Sequence, residues 1–380
     1  MSESGVKNAI KTISSMKDET VVQAASFVAI IVLLIALLVY IYFSGTIFSD
    51  GLNVRNCKNM DEMFGTLNGK IRSIDPANEL YQYSLRDYYI KSAYNSCSGG
   101  NYKNGYVNSC ILKDLLKQGV RGLDFEVYSI DDQPVVATST SDSYCVKETF
   151  NSVPFSEVLN IIRDYAFASS TAPNPLDPII LHLRIKSSNV QMYDNFAKLL
   201  ESHNDILMGK QYSFENQGKN FGAVKLSDMA GKVAIIVDRS NLAFMESEAF
   251  YEYVNMTSNS IFMRALHYYD IINAPDMVEL IGYNKLNMTI GMPDKGSNPD
   301  NPSSITMRTY GVQLLAMRYQ VVDTNLEEND MFFNDAGSAF VLKPEKLRYV
   351  PETIPDPPPQ NPEVSFATRE VSSDFYKFEI

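Results

Sequence analysis

The chain has 380 residues, 45% hydrophobic and 21% charged, so it can bury a large core, and its length allows one to three domains. The formal net charge is −12 with a pI near 4.8, and no window clusters Lys and Arg. A phosphate backbone needs a basic face, so nucleic acid is excluded as an expected partner.

Residues 1–20 read as a short polar head. Ala24–Phe43 then runs for 20 residues without a charge. As a helix this covers about 30 Å, the hydrocarbon thickness of a bilayer. Tyr40 and Tyr42 sit at one end, where an aromatic belt belongs. A signal peptide has a shorter apolar core and an A-x-A site soon after, which this stretch lacks. Residues 21–44 are therefore expected to be a transmembrane anchor. Lys7, Lys11 and Lys17 precede the span, and Arg55 and Lys58 follow it at a distance. That bias places the N-terminus in the cytosol and the bulk of the chain in a lumen, outside the cell or on a viral envelope.

All four cysteines, Cys57, Cys97, Cys110 and Cys145, follow the span. So do two N-glycosylation acceptor sequences, at Asn255 and Asn287. Four cysteines allow three pairings, of which Cys97 with Cys110 is the expected one, clipping a strand to its helix.

Residues 45–79 read as a connector, and from Leu80 strand and helix patterns alternate up to residue 350. Tyr88–Ser92 is a short strand, and Cys110–Gln118 a helix capped by Ser109 and ended by Gly119. Val120–Tyr128 is a strand carrying Asp124 and Glu126 two residues apart, hence on one face. Asp131–Gln133 turns the chain into Pro134–Ser141, which ends in Thr138, Ser139, Thr140 and Ser141. A helix begins at Pro154. Pro178–Ile185 and Lys232–Asp238 are nearly continuous apolar strands of the parallel-sheet kind. Tyr193–His203 and Phe244–Val254 read as helices, and Val312–Gln320 and Ala339–Leu342 as the last strands. Such alternation predicts an α/β fold, and its length suits a TIM-type (β/α)8 barrel. Residues 351–380 carry Pro351, Pro355, Pro357, Pro358, Pro359 and Pro362 and read as a disordered or docking tail.

Tyr88–Ser188 resembles the X box of phosphoinositide-specific phospholipase C, through YYIKSAYNS, GVRGLDFEVYS, QPVVATSTS and DPIILHLRIKSS. Gly311–Arg348 is similar to that family's Y box, most specifically in AFVLKPEKLR. The resemblance implies one barrel with its site at the C-terminal strand ends. It also implies attack of an inositol 2-hydroxyl on a phosphodiester, with one His as base, another as acid, and a calcium ion held by Asn and acidic ligands.

Carried over by position, the first catalytic His is replaced by Tyr94 and the second by Thr138. The calcium ligands correspond to Asn95, Asp124 and Glu126, and the last ligand, a Glu in the family, is Arg184. Tyrosine, with an ordinary pKa near 10, is a poor base at neutral pH, and threonine is no general acid. Arg184 facing two acids is expected to fill the calcium position with a charge-assisted pair, so the calcium site is read as vestigial. Two functional readings follow. One is a membrane-anchored pseudoenzyme that binds a lipid head group or a protein partner. The other is a phosphodiesterase with a rearranged, metal-independent site built on His182 and Arg184, which share a strand face. Arg184, Lys186, Arg239 and Lys295 are candidate phosphate contacts. His203 and His267 match no family position.

Overall fold

The computed structural model describes residues 3–213, 218–351, 355–358, 361 and 366–380. Its first compact unit runs from Met1 to Arg348 and its second from Tyr349 to Ile380.

The first element is one helix, α1, Glu3–Phe64. Within it, Val22–Ile41 is long and apolar enough to cross a membrane, with a mean hydropathy of 3.0 and none of its surface buried. The expected connector is thus helical over its first half. Beyond the apolar stretch α1 buries Met60 in the core and packs on a second helix, α2, Ser109–Lys117. Asn108 caps α2, its side chain accepting from the Cys110 N–H, in place of the expected Ser109.

A disulfide joins Cys57 of α1 to Cys110 of α2, with Cα atoms 5.9 Å apart. The expected Cys97–Cys110 bond is therefore incorrect. Cys97 is buried as a free thiol, and Cys145 is free and exposed. The continuation of α1 onto α2, which sequence periodicity did not show, brings Cys57 into reach.

Eight parallel strands form the barrel. They are β1 (Tyr88–Ala93), β2 (Gly122–Ile130), β5 (Ile179–Ile185), β6 (Val233–Asp238), β7 (Met256–Ser258), β8 (Met263–His267), β9 (Met288–Met292) and β10 (Leu314–Met317). The hydrogen-bonded order is β7-β6-β5-β2-β1-β10-β9-β8, nearly closed. Three short strands pair antiparallel at the rim: β3 (Gln133–Ala137) on β2, β4 (Val153–Pro154) on β3, and β11 (Phe340–Leu342) on β1.

Parity divides each barrel strand. On β5, Leu181 and Leu183 pack outward under the helices, among them α3 (Phe155–Ile161) and α4 (Val190–Glu201). Ile180, His182 and Arg184 share the opposite, inner face. Ile180, Ala234, Ile236, Met263, Met288, Ile290, Leu314 and Ala316 fill the lower barrel as an apolar plug. Both faces are covered, so these strands read as unbroken apolar runs. Toward the C-terminal ends the inner face turns polar and carries Asp124, Glu126, His182, Arg184, Ser258, His267 and Arg318, all buried.

The strands β7, β8 and β9 lie in a stretch where sequence patterning predicted none. The expected helix over Phe244–Val254 is reduced to Glu248–Tyr251 after a 3-10 turn, because the chain must enter β7 at Met256. Asn255 is buried, its carboxamide accepting from Ile235 N–H and donating to the Tyr212 carbonyl, so the folded chain does not present it for glycosylation.

In the second unit, the described prolines Pro351, Pro355, Pro357 and Pro358 are exposed and irregular, while Pro359 and Pro362 lie outside the described residues. The end is not irregular. Glu370–Ser372 and Lys377–Glu379 pair as a hairpin, with Val371 opposite Phe378. Alternating apolar residues around the Ser373–Asp374 turn account for it.

Candidate functional site

Register builds the centre of the site. Asp124 lies opposite His182, and Glu126 opposite Arg184, across the β2–β5 pair. Arg184 Nε and Nη2 donate to Asp124 Oδ1 and Oδ2 at 3.0 and 2.7 Å. Its Nη1 donates to Glu126 Oε1 at 2.9 Å, and Nη2 also reaches Asn95 Oδ1 at 2.9 Å. Asn95 adopts a left-handed conformation, φ 48°, which asparagine tolerates, and this turns its N–H onto Asp124 Oδ2. The guanidinium carbon lies 4.6 Å from the Tyr94 ring centroid, a cation–π contact. Glu126 Oε2 accepts from Tyr128 Oη, Ser139 N–H and Ser139 Oγ.

Burial alone would raise the Asp124 carboxyl, but Arg184, together with the His182 bond, holds it well below the usual range. The same carboxylates lift Arg184 further above its ordinary value against the effect of burial. Burial pushes the Tyr94 hydroxyl well above its ordinary value, so it holds its proton at neutral pH. Thr138 is buried and spends its hydroxyl proton on the Tyr102 carbonyl, 3.0 Å away. Neither residue at a family His position is set up to exchange a proton.

The ligand set that the resemblance implies for calcium does not fit a cation. Both Asp124 oxygens, Glu126 Oε1 and Asn95 Oδ1 already accept from one positive guanidinium. Among the described residues, no group of three or more His, Cys, Asp or Glu is arranged to hold a metal ion.

His182 is fully buried. Its Nδ1 donates to Asp124 Oδ1 at 2.7 Å, since an ionised carboxylate only accepts, and its Nε2 lies 2.8 Å from Ser258 Oγ. The order Asp124–His182–Ser258 has the connectivity of an acid–base–nucleophile relay. Ser258 is also fully buried, so no substrate atom reaches its Oγ.

Above this layer, Asp142 reaches into the mouth from the loop after β3. Its Oδ2 accepts from His267 Nε2 at 2.8 Å and from Lys295 Nζ at 3.1 Å, and its Oδ1 from Arg184 Nη1 at 3.4 Å. Lys186 Nζ donates to its backbone carbonyl. The adjoining crevice, lined by Tyr94, Tyr102, Thr140, Asp142 and Lys295, is too tight for a water molecule.

Sequence reasoning placed Tyr94, Asn95, Asp124, Glu126, Thr138, His182, Arg184 and Lys186 at this end of the barrel, and the structure brings them together. Arg239 is not among them; it follows Asp238 with opposite parity and is exposed. His203 is packed at the end of α4 beside Asn160. Asp142, His267 and Ser258 were missed. The signal for two of them was parity along β7 and β8, visible only once those strands are known.

A nearly closed parallel barrel with a buried polar layer at its C-terminal strand ends is a TIM-type barrel whose mouth carries the candidate site. Residues 81–239 match the family model described as phosphatidylinositol-specific phospholipase C, X domain. The match covers this X-domain segment and not the rest of the chain. Two solved structures share the barrel. PLC21 of L. pealei has 20% identity and a TM-score of 0.58, with 73% of this chain and 39% of that chain covered. PLC21 of S. officinalis has 18% identity and a TM-score of 0.56, with 74% and 39% covered. The chain thus spans well under half the length of either. None of the curated proteins matches the sequence.

Proposed function

We propose that this protein is a membrane-anchored, catalytically retired phospholipase C-like barrel that serves as a binding module. The observation that carries this reading is the Arg184 guanidinium lodged among Asp124, Glu126 and Asn95. It takes the position where the family's chemistry calls for a cation held by carboxylates, and it leaves no oxygen free for one. With Tyr94 and Thr138 at the two His positions, the general base and general acid are both lost. Each such loss costs about 10²–10⁴-fold in rate.

A rearranged hydrolase built on His182 and Arg184 has less support. Both nitrogens of His182 are engaged inside the packed barrel. Arg184 gives its shortest bonds to Asp124, Glu126 and Asn95, leaving only the outward edge of Nη1 toward the mouth. The test is phosphatidylinositol cleavage by the full chain in detergent, with calcium and with chelator. The expected result is no turnover in either. Turnover that disappears in His182→Ala would overturn the reading.

The apolar segment Val22–Ile41 supports anchoring, with the N-terminus cytosolic and the barrel lumenal or extracellular. The Cys57–Cys110 bond suits an oxidising compartment. Protease protection of sealed membranes tests the orientation: the barrel should be cleaved only after the membranes are opened. The bound partner is read as a phosphate-bearing head group or a protein.

A further inference from the structure

One residue at the mouth answers four cationic or basic side chains, three through its carboxylate and the fourth, Lys186, through its backbone carbonyl with the carboxylate 4.0 Å away. Asp142 bonds Arg184, Lys186, His267 and Lys295, which come from β5, β8 and the loop after β9. Arg184, Lys186 and His267 are buried, whereas the Asp142 side chain keeps 34% of its surface exposed. Three of the four partners are therefore inside, and Lys295, its side chain 55% exposed, stands at the rim. Buried cations need an anion. Arg184 has others in Asp124 and Glu126, but Asp142 is the group that Lys186, His267 and Lys295 share.

Asp142 sits on a strap, residues 138–149, with its own closure. At its base the Glu148 N–H donates to the Thr138 carbonyl, and the Glu148 carboxylate accepts from the Thr140 N–H and hydroxyl. At the tip Tyr144, Cys145 and Val146 are exposed. The strap holds itself together, so the tip can leave the mouth without unfolding its base.

We propose that Asp142 is an internal stand-in for a phosphate-type oxyanion, and that Arg184, Lys186, His267 and Lys295 form a binding site for such an anion once the strap tip moves away. A carboxylate bonded by a guanidinium, an imidazole and one ammonium group, with a second ammonium 4.0 Å away, occupies the position of a tetrahedral oxyanion with several charge-assisted bonds. This rests on reading the barrel as a binding module and names the ligand class of its mouth. The ligand arrives either as a free anion or on a lipid head group.

The test uses the full chain in nonionic detergent and compares wild type with Asp142→Asn, which keeps shape and removes charge. Inorganic phosphate is titrated by calorimetry. Asp142→Asn is expected to bind phosphate with a Kd at least 10-fold lower than wild type, and the gain is expected to vanish in Asp142→Asn/Lys186→Ala. A second measurement needs no substitution at the site. A thiol-reactive fluorophore on the exposed Cys145 reports strap position in the wild type, and it should respond saturably to millimolar phosphate. Equal phosphate binding by wild type and Asp142→Asn, with no response at Cys145, overturns the proposal. Vesicles containing phosphatidylinositol phosphate distinguish the sources: recruitment beyond that by free phosphate assigns the head group, and equal competition assigns the free anion. Turnover of phosphatidylinositol would refute the non-hydrolytic reading separately, because phosphate affinity is read without it.

Discussion

Arg184 holds both oxygens of Asp124, Nε to Oδ1 at 3.0 Å and Nη2 to Oδ2 at 2.7 Å, inside the barrel where neither residue meets solvent. Removing one partner of such a pair leaves an uncompensated buried charge, at a cost of about 3–5 kcal/mol. Arg184→Met should therefore lower the midpoint of thermal unfolding sharply, because Asp124 and Glu126 both lose their countercharge. An unchanged midpoint would show that the carboxylates are satisfied by other groups.

Arg184→Glu sharpens the argument about calcium. Three carboxylates and Asn95 would then surround the volume that the guanidinium fills, a donor set suited to a hard cation. Calcium should leave the wild-type unfolding midpoint unchanged and raise that of Arg184→Glu. A calcium-dependent midpoint in the wild type would mean that the guanidinium yields the site.

The acid limb of stability has a defined sign. Burial acts to raise Asp142, but the His267 bond, Arg184 and Lys186 together hold it below the ordinary carboxylate range. A carboxyl depressed on folding contributes stability above its unfolded value, about 4, and that contribution is lost as pH falls toward the folded value. Chemical denaturation of wild type and Asp142→Asn should thus differ most above pH about 5 and converge in acid. A constant difference across pH would show that Asp142 acts through packing alone.

The apolar span, the strands β2, β5 and β6, and the shared face of Asp124 and Glu126 were legible because each rests on local pattern: uncharged length, continuous apolar runs, or spacing of two. The pairing of Arg184 with those acids came from the resemblance, which sets Arg184 at the last ligand position. The strands β7, β8 and β9 were not. They are short, and residues such as Asn259, Arg264 and Asn287 interrupt the stretch, so no run stands out; tertiary closure of the barrel makes them strands. The same blindness hid His267 and Ser258, whose inward direction depends on those strands. Asp142 was hidden for another reason. Its partners are 42 to 153 residues away in sequence, and nothing near it marks the end of a surface loop as an inward charge. The disulfide was misassigned because the route of α1 past its apolar segment is a matter of packing on α2.

The Cys57–Cys110 bond closes a loop of 53 residues between α1 and α2. Chain-entropy arguments put the stabilisation from such a loop at about 4 kcal/mol. Cys110→Ser, or full reduction, should lower the barrel's unfolding midpoint by several degrees, while Cys145→Ser should not. Equal midpoints for Cys110→Ser and wild type would mean that α1 docks on α2 without covalent help.

Ser258 offers a direct check on whether the buried relay is idle. Its Oγ lies 2.8 Å from His182 Nε2, and His182 is in turn fixed to Asp124, which is the arrangement that activates a serine toward phosphorylating probes. Both side chains are sealed, so a fluorophosphonate probe should not label Ser258 in the native chain. Labelling detected by peptide mass spectrometry, and lost in His182→Ala, would show that the barrel opens far enough for chemistry. The binding reading would then give way to a hydrolase that uses a serine in place of the family's histidine pair.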